Sequence, residues 1–362
     1  MRVVLCGGGV IGAAVAYFLS RRGVRPIVVE RTGVACAASG KSGGFLALDW
    51  CDGTPLEALA RRSFALHAEL PGEIGADWGY RRVATYGGFA RRPDGVGRRG
   101  NEAVAWLSDA VTGCRRLGSP ETTAQLDPAR FTGALMAAAQ ARGAELRIAC
   151  VTGLVRRGGT VAGVRVDGGT IDADAVVLAM GPWSIAAARW LPLPAVQALK
   201  GHSLVFASRL PPEAVFLDYQ EPDGGMQSPE LFPRADGTVY VCALSSGTPL
   251  PADPAAVRPD DGAIERLRGI CARLSPALAD ARVVAEQACY RPVTQDGLPL
   301  IGAVPGAAGA YVATGHSVWG MLNAPATGEA VAELLIDGAA RSVDLSPFDP
   351  GRLPAAHAFR GG

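Results

Sequence analysis

Six residues near the start of the chain, Gly7-Gly8-Gly9-Val10-Ile11-Gly12, constrain its fold more than any other stretch. Glycines at 7, 9 and 12 match the pattern GxGxxG. The preceding run, Arg2 to Cys6, is apolar and reads as a buried strand. Val10 to Arg22 reads as a helix closed by Gly23, and Pro26 to Glu30 as a second strand. Together they form a β-α-β unit of about 30 residues. In this setting Gly7 permits the tight turn, Gly9 lets a diphosphate approach the backbone, and Gly12 lets helix and strand pack closely. The start of the helix offers free N–H groups and a partial positive charge to an anion. Glu30 follows Gly12 by 18 residues and would accept hydrogen bonds from ribose hydroxyls. An acid there argues against a 2′-phosphate, so NADP is disfavoured. The competing reading is a glycine-rich turn without a ligand.

Composition narrows the remaining choices. The 362 residues carry a formal net charge of +1 with only 19% charged residues, which gives no footprint for nucleic acid. No apolar run reaches the roughly 18 residues of a membrane-spanning helix. The eight cysteines are scattered without a CxxC pair, so no zinc or other metal site is expected. The chain enters its first strand at once, without a signal peptide, and reduced thiols in the cytoplasm are the expectation. Only two lysines occur, Lys41 and Lys200.

Strands and helices alternate near both ends. Ala35 to Phe45 is a small-residue loop, and Pro55 to Leu70 reads as a helix. A turn-rich stretch, GGFARRPDGVGRRG, runs from Gly87 to Gly100. Phe131 to Arg142 reads as a helix, Asp174 to Ala179 as a buried strand, and Val196 to Ala243 as strand-rich. Ala263 to Leu274 and Gly320 to Ile336 read as helices, and the tail after Asp337 as irregular. This order predicts a doubly wound nucleotide domain interrupted by a mostly antiparallel one.

Several motifs resemble the D-amino acid oxidase, glycine oxidase and sarcosine oxidase superfamily of flavoproteins. They are VVER at 28–31, AASGKSGG at 37–44, YRPVTQDGLPLIG at 290–302, VATGH at 312–316, and Gly320 with NAPATG at 323–328. The resemblance is specific at the two ends and loose over roughly 75–140 and 200–285. It implies FAD, and an α/β fold in which a Rossmann-like FAD-binding domain (1–75, 141–195, 286–362) is interrupted by an antiparallel α+β substrate domain (76–140, 196–285). It also implies that Val10 and Ile11 open the helix over the diphosphate beside Glu30 and Arg31. Ser39, Lys41, Ser42, Gly43, Gly44 and Phe45 would line the diphosphate and the flavin face. Val151 would meet adenine, and Gly181 and Trp183 would close over the cofactor. Gly315, His316, Val318, Trp319, Gly320 and Met321 would start the last helix beside the flavin's pyrimidine end. A helix start there would stabilise negative charge on the reduced ring.

The resemblance further implies that Arg291 holds a substrate carboxylate, a role its planar fork suits. A structural salt bridge is the other reading. Tyr219, Tyr240, Tyr290 and Trp319 are candidate pocket walls, Tyr240 and Trp319 foremost. His202 and His316 are candidate bases or structural residues. Lys41 could assist oxygen chemistry or contact the diphosphate. Cys289 stands where sarcosine oxidases carry a flavin-linked cysteine, but Arg291-Pro292 matches the relatives with non-covalent FAD, and a buried thiol is the default. The expected reaction is oxidation of a primary or secondary amine, an amino acid, to an imine by hydride transfer to flavin N5, with O2 giving H2O2. Two alternatives stand beside it: a dehydrogenase of an amino or 2-hydroxy acid using an electron carrier, and a non-catalytic flavoprotein scaffold.

Overall fold

The computed structural model describes residues 1–90 and 102–356. The last ten residues of the predicted turn-rich stretch therefore lie outside the described residues. Its first four residues complete the strand Ala84–Ala90.

The glycine-bearing unit forms as its pattern dictates. Val3–Cys6 lies between Ile27–Glu30 and Ala175–Leu178, parallel to both. Glu145–Ile148 extends the sheet on one side. Ala310–Thr314 extends it on the other, followed by the antiparallel edge strand Leu300–Ala303. The three central strands are buried along their whole length, because both faces are covered. Alternate residues serve opposite layers. Val3 and Leu5 pack under helices Val10–Arg21, Pro128–Ala141 and Gly320–Asp337. Val4 and Cys6 face a three-stranded meander, Val151–Arg157, Thr160–Val166 and Gly169–Asp172.

Two helices come unusually close. A Cβ on Gly328 would stand 2.6 Å from the backbone carbon of Ala14, so only glycine lets the last helix lie against the first. The helix expected to end at Leu70 runs as Glu57–Ile74, because Pro71 removes only one N–H and the helix closes at Gly75 with φ 70°. The helix expected from Phe131 starts at Pro128, where Asp127 accepts from the Arg130 amide.

The second layer is an eight-stranded, mainly antiparallel sheet. Its path runs Val283–Val293, Gln197–Ala207, Thr238–Ser246, Glu230–Pro233, Glu213–Gln220, Ala84–Ala90, Val111–Gly118. Helix Ala263–Leu274 covers one face with Ile264, Leu267, Ile270 and Leu274. The opposite face looks towards the parallel sheet. Two expected domain divisions meet continuous elements here. The division at 140/141 falls in the helix Pro128–Ala141, whose Phe131 and Leu135 share the core of the nucleotide layer. The division at 285/286 cuts the strand Val283–Val293, all of which belongs to the eight-stranded sheet. No helix among the described residues is long and apolar enough to cross a membrane.

Candidate active site

A continuous cavity of about 1560 Å³ lies between the two sheets. The parallel sheet supplies one wall through its glycine turn. Gly7 has φ +115°, and a Cβ there would lie 2.4 Å from the Ala179 carbonyl oxygen. A Cβ on Gly12 would lie 2.0 Å from the Gly7 carbonyl oxygen, so Gly12 serves packing and does not line the cavity. Gly9 does line it, with only the Ser39 hydroxyl nearby. Ser39 Oγ accepts from the Val10 amide at 2.8 Å, which ties the small-residue loop to the helix start.

Glu30 is buried and held in place by the backbone. Its Oε2 accepts from the Gly8 amide at 2.6 Å and its Oε1 from the Thr32 amide at 2.9 Å. A carboxylate fixed this way keeps its remaining lone pairs turned to the groove. Beside it, Arg31 donates to the Ala252 carbonyl at 2.6 Å, and Trp183 Nε1 donates to the Pro251 carbonyl at 2.8 Å. Those two bonds strap the segment from Pro249 to Pro254, which the sequence had not marked, across the cavity.

The far wall belongs to the eight-stranded sheet. Its register places Phe216 opposite Glu230, Glu230 opposite Cys242, and Phe232 opposite Tyr240. With Cys289 and Arg291, all of these line the cavity, as period-two alternation requires. Their neighbours in sequence face away. Tyr290 is buried and donates to the Pro249 carbonyl, and Tyr219 is buried under Arg273. Of the four predicted aromatic walls, Tyr240 and Trp319 therefore line the site and Tyr219 and Tyr290 do not.

Arg291 lies over Gly201, where a Cβ would come within 3.6 Å of the guanidinium carbon. Its Nη1 donates to Ser245 Oγ at 3.2 Å. Burial works against its charge, but Cys242, Glu230, Tyr240 and Cys289 around it outweigh that, and its pKa is raised. Burial holds the Tyr240 phenol well above its usual range, and it also raises the Cys289 thiol. An aromatic group completes this wall: Phe45, Trp50 and Phe216 have ring centroids 4.9–5.0 Å apart, and Phe45 stacks on Phe232 at 5.5 Å.

The last helix closes the cavity from the side. Gly315 has φ +78° and Ser317 has φ +49°, a strained conformation for a residue with a side chain. His316 is buried, its Nε2 3.1 Å from Thr327 Oγ1, and burial pushes its pKa down to about 3. It is therefore neutral at pH 7. Trp319 packs partly against the core of the nucleotide layer.

One predicted role needs correction. Lys41 does not line the cavity; its short helical turn, Ala38–Lys41, aims the ammonium at the Ala288 carbonyl, 3.4 Å away. His202 also lies outside it. Its Nε2 accepts from the Asp260 amide and its Nδ1 meets the Leu244 carbonyl, which makes it a structural residue. Every other residue predicted to touch the cofactor, Gly12 apart, lines the cavity.

The residues fit FAD. Ser42 Oγ and His316 Nδ1 are buried in this lining without a hydrogen-bond partner. Val318 and Ile185 stand 56% and 40% exposed at the same surface, apolar area a ring system would cover. The FAD-dependent oxidoreductase profile matches residues 2–334. The chain belongs to that family. It is similar to an oxidoreductase of Schizosaccharomyces pombe whose name carries no substrate, with 28% identity over 96% of this chain and 97% of that one. It is also 32% identical to a glycine oxidase of Pseudomonas aeruginosa, over 97% and 99% of the two chains. The solved glycine oxidase of Geobacillus kaustophilus superposes with a TM-score of 0.82 over 96% and 98%, at 26% identity. The protein is an FAD-dependent oxidoreductase. Glu230, Trp50, Phe216 and the strap at 249–254 escaped the sequence reading, because their facing follows from strand register and not from any motif.

Proposed function

We propose that this oxidoreductase takes a primary or secondary amine that carries a carboxylate, an amino acid, and oxidises its C–N bond to an imine. The observation that carries the reading is Arg291. Its guanidinium lines the cavity, it has a single hydroxyl partner, and Gly201 leaves the space above its neighbour clear. A planar fork of this kind grips a carboxylate by two parallel hydrogen bonds.

FAD, when bound, would supply the hydride acceptor, with O2 as the final electron acceptor and H2O2 as the second product. The chain's own residues position and exclude. Arg291 fixes the carboxylate and so the direction of the Cα–H bond. Tyr240 stays a neutral phenol and His316 a neutral imidazole, so neither carries charge into the pocket. The aromatic wall of Phe45, Trp50 and Phe216 keeps water from the reacting carbon. A dedicated base is not needed: the substrate binds as its ammonium, gives up one proton to solvent, and the amine so formed assists hydride departure with its own lone pair. Burial that keeps Cys289 a thiol supports non-covalent FAD.

Anaerobic mixing of the yellow protein with glycine, N-methylglycine, proline, D-amino acids and 2-hydroxy acids tests this. Bleaching of the flavin band by an amino acid, then rapid recolouring in air with peroxide, is the expected result. Bleaching by 2-hydroxy acids alone overturns the substrate class, and slow recolouring in air overturns the use of oxygen.

A further inference from the structure

Glu230 is a carboxyl group in a place where carboxyl groups are rarely tolerated. It lines the cavity, and burial raises its pKa, with Arg291 and the Cys242 thiol pulling the other way. Among the described residues its side chain accepts one hydrogen bond, from Cys242 Sγ at 3.5 Å. The strand order puts two strands between it and Arg291, Gln197–Ala207 and Thr238–Ser246. At about 4.8 Å per strand their backbones are some three spacings apart. Gly201, on the strand next to that of Arg291, places no side chain beside the guanidinium. The two groups affect each other's charge, yet no ion pair of 4.0 Å or less joins them among the described residues. A buried carboxylate without a counter-charge is costly, and its complement is a cation. The side chains opposite Glu230 in the ladder, Phe216 and Cys242, provide none.

A zwitterionic amino acid carries both complements on adjacent atoms. We propose that Glu230 is a specificity residue that receives the substrate's ammonium while Arg291 holds its carboxylate, so that the pocket selects α-amino acids over 2-hydroxy acids and over simple carboxylates. This rests on the carboxylate role given to Arg291 above. Phe216 and Phe232 share this wall. A hydroxyl in place of the ammonium leaves Glu230 without a charge partner, the kind of mismatch that discriminates strongly.

The test uses the FAD-loaded enzyme and two probes of the same shape, neither of which can be oxidised at an α-hydrogen-bearing amine carbon. These are 2-amino-2-methylpropanoate and 2,2-dimethylpropanoate, in which a methyl replaces the ammonium, with dissociation constants read from perturbation of the flavin spectrum. Glu230→Gln is expected to weaken the amino probe by about tenfold or more and to leave the plain carboxylate unchanged or tighter. Glu230→Asp, which keeps the charge, retains the preference for the amino probe. Arg291→Met weakens both. Equal factors for both probes in Glu230→Gln, or no change in either, overturn the role of Glu230 even if Arg291→Met behaves as expected. Unchanged binding of both probes in Arg291→Met overturns the carboxylate assignment instead, whatever Glu230→Gln shows.

Discussion

The two walls of the cavity are made in different ways. On the nucleotide side the critical positions are places where no side chain fits: Gly7 under the Ala179 carbonyl and Gly12 under Gly7 in the parallel layer, and Gly44 with φ +76° against Leu126 just before the small strand Phe45–Ala47. In the eight-stranded sheet they are side chains raised at every second residue, Phe216, Glu230, Phe232, Tyr240, Cys242, Cys289 and Arg291. The first wall is defined by backbone sterics and tolerates almost no change. The second is defined by chemistry on a generic pleated surface, and it is where family members can diverge without disturbing the fold.

The largest expected effect breaks the first wall. Gly7→Ala forces a Cβ into the Ala179 carbonyl at a φ that L-residues avoid, so the purified variant should be colourless or fail to fold. A yellow Gly7→Ala protein with ordinary flavin content would show that the backbone wall is softer than its geometry says. Next comes the second wall. Arg291→Met should keep its flavin and raise KM for a carboxylated substrate by about 10²–10³, the loss of a buried charge-assisted contact of about 3–4 kcal/mol. Steady-state kinetics with normal flavin absorbance would separate the two walls cleanly; loss of flavin would join them.

Acid gives a smaller, graded effect on the first half. Burial depresses His67 to about 4 and His316 to about 3. His67 Nε2 meets the Met321 and Leu322 carbonyls at the start of the last helix, at 3.0 and 3.1 Å. Below about pH 6.5 the unfolded chain binds protons that the folded one refuses. Stability is therefore complete above pH 6.5 and declines as pH falls towards 4 and 3, by about 1.4 kcal/mol per unit for each histidine. Denaturant midpoints at pH 7.5 and 5.0 measure this, and His67→Gln should reduce the slope. Equal midpoints would refute it. Smallest of all is Cys289→Ser. It should leave flavin content unchanged, with the wild-type flavin released into the supernatant by acid precipitation; flavin that stays with the precipitate would place a covalent bond at this cysteine.

The same contrast explains what could be read in advance. Glycine positions announce themselves, because strand, turn, helix and acid must keep one spacing. That is why Gly7, Gly9, Gly12 and Glu30 fell where expected. Arg291 was legible only through the YRP motif. Glu230 sits on a four-residue strand ending at Pro233, too short to show alternation, and its facing emerges only when Cys242 is seen opposite it. Tyr290 and Tyr219 were misplaced for the same reason: one residue of register decides which side of a sheet a ring occupies. Lys41 went astray because Ala38–Lys41 is a helical turn, and a turn of helix sends neighbouring side chains in different directions.

The path of the chain also bears on engineering. It passes between the two large sheets four times, twice by way of the small sheet of Phe45–Ala47, Arg81–Arg82 and Thr123–Gln125 and twice directly, after Arg189 and after Val293, and Val293 itself bridges to His316. The strand that carries Arg291 thus ends at the turn that closes the cofactor side. Chimeras that exchange one half for a relative's would cut this shared strand or leave mismatched junctions at all four passages. New substrates are better sought by changing the exposed ends of side chains at 216, 230 and 242 in place than by swapping modules.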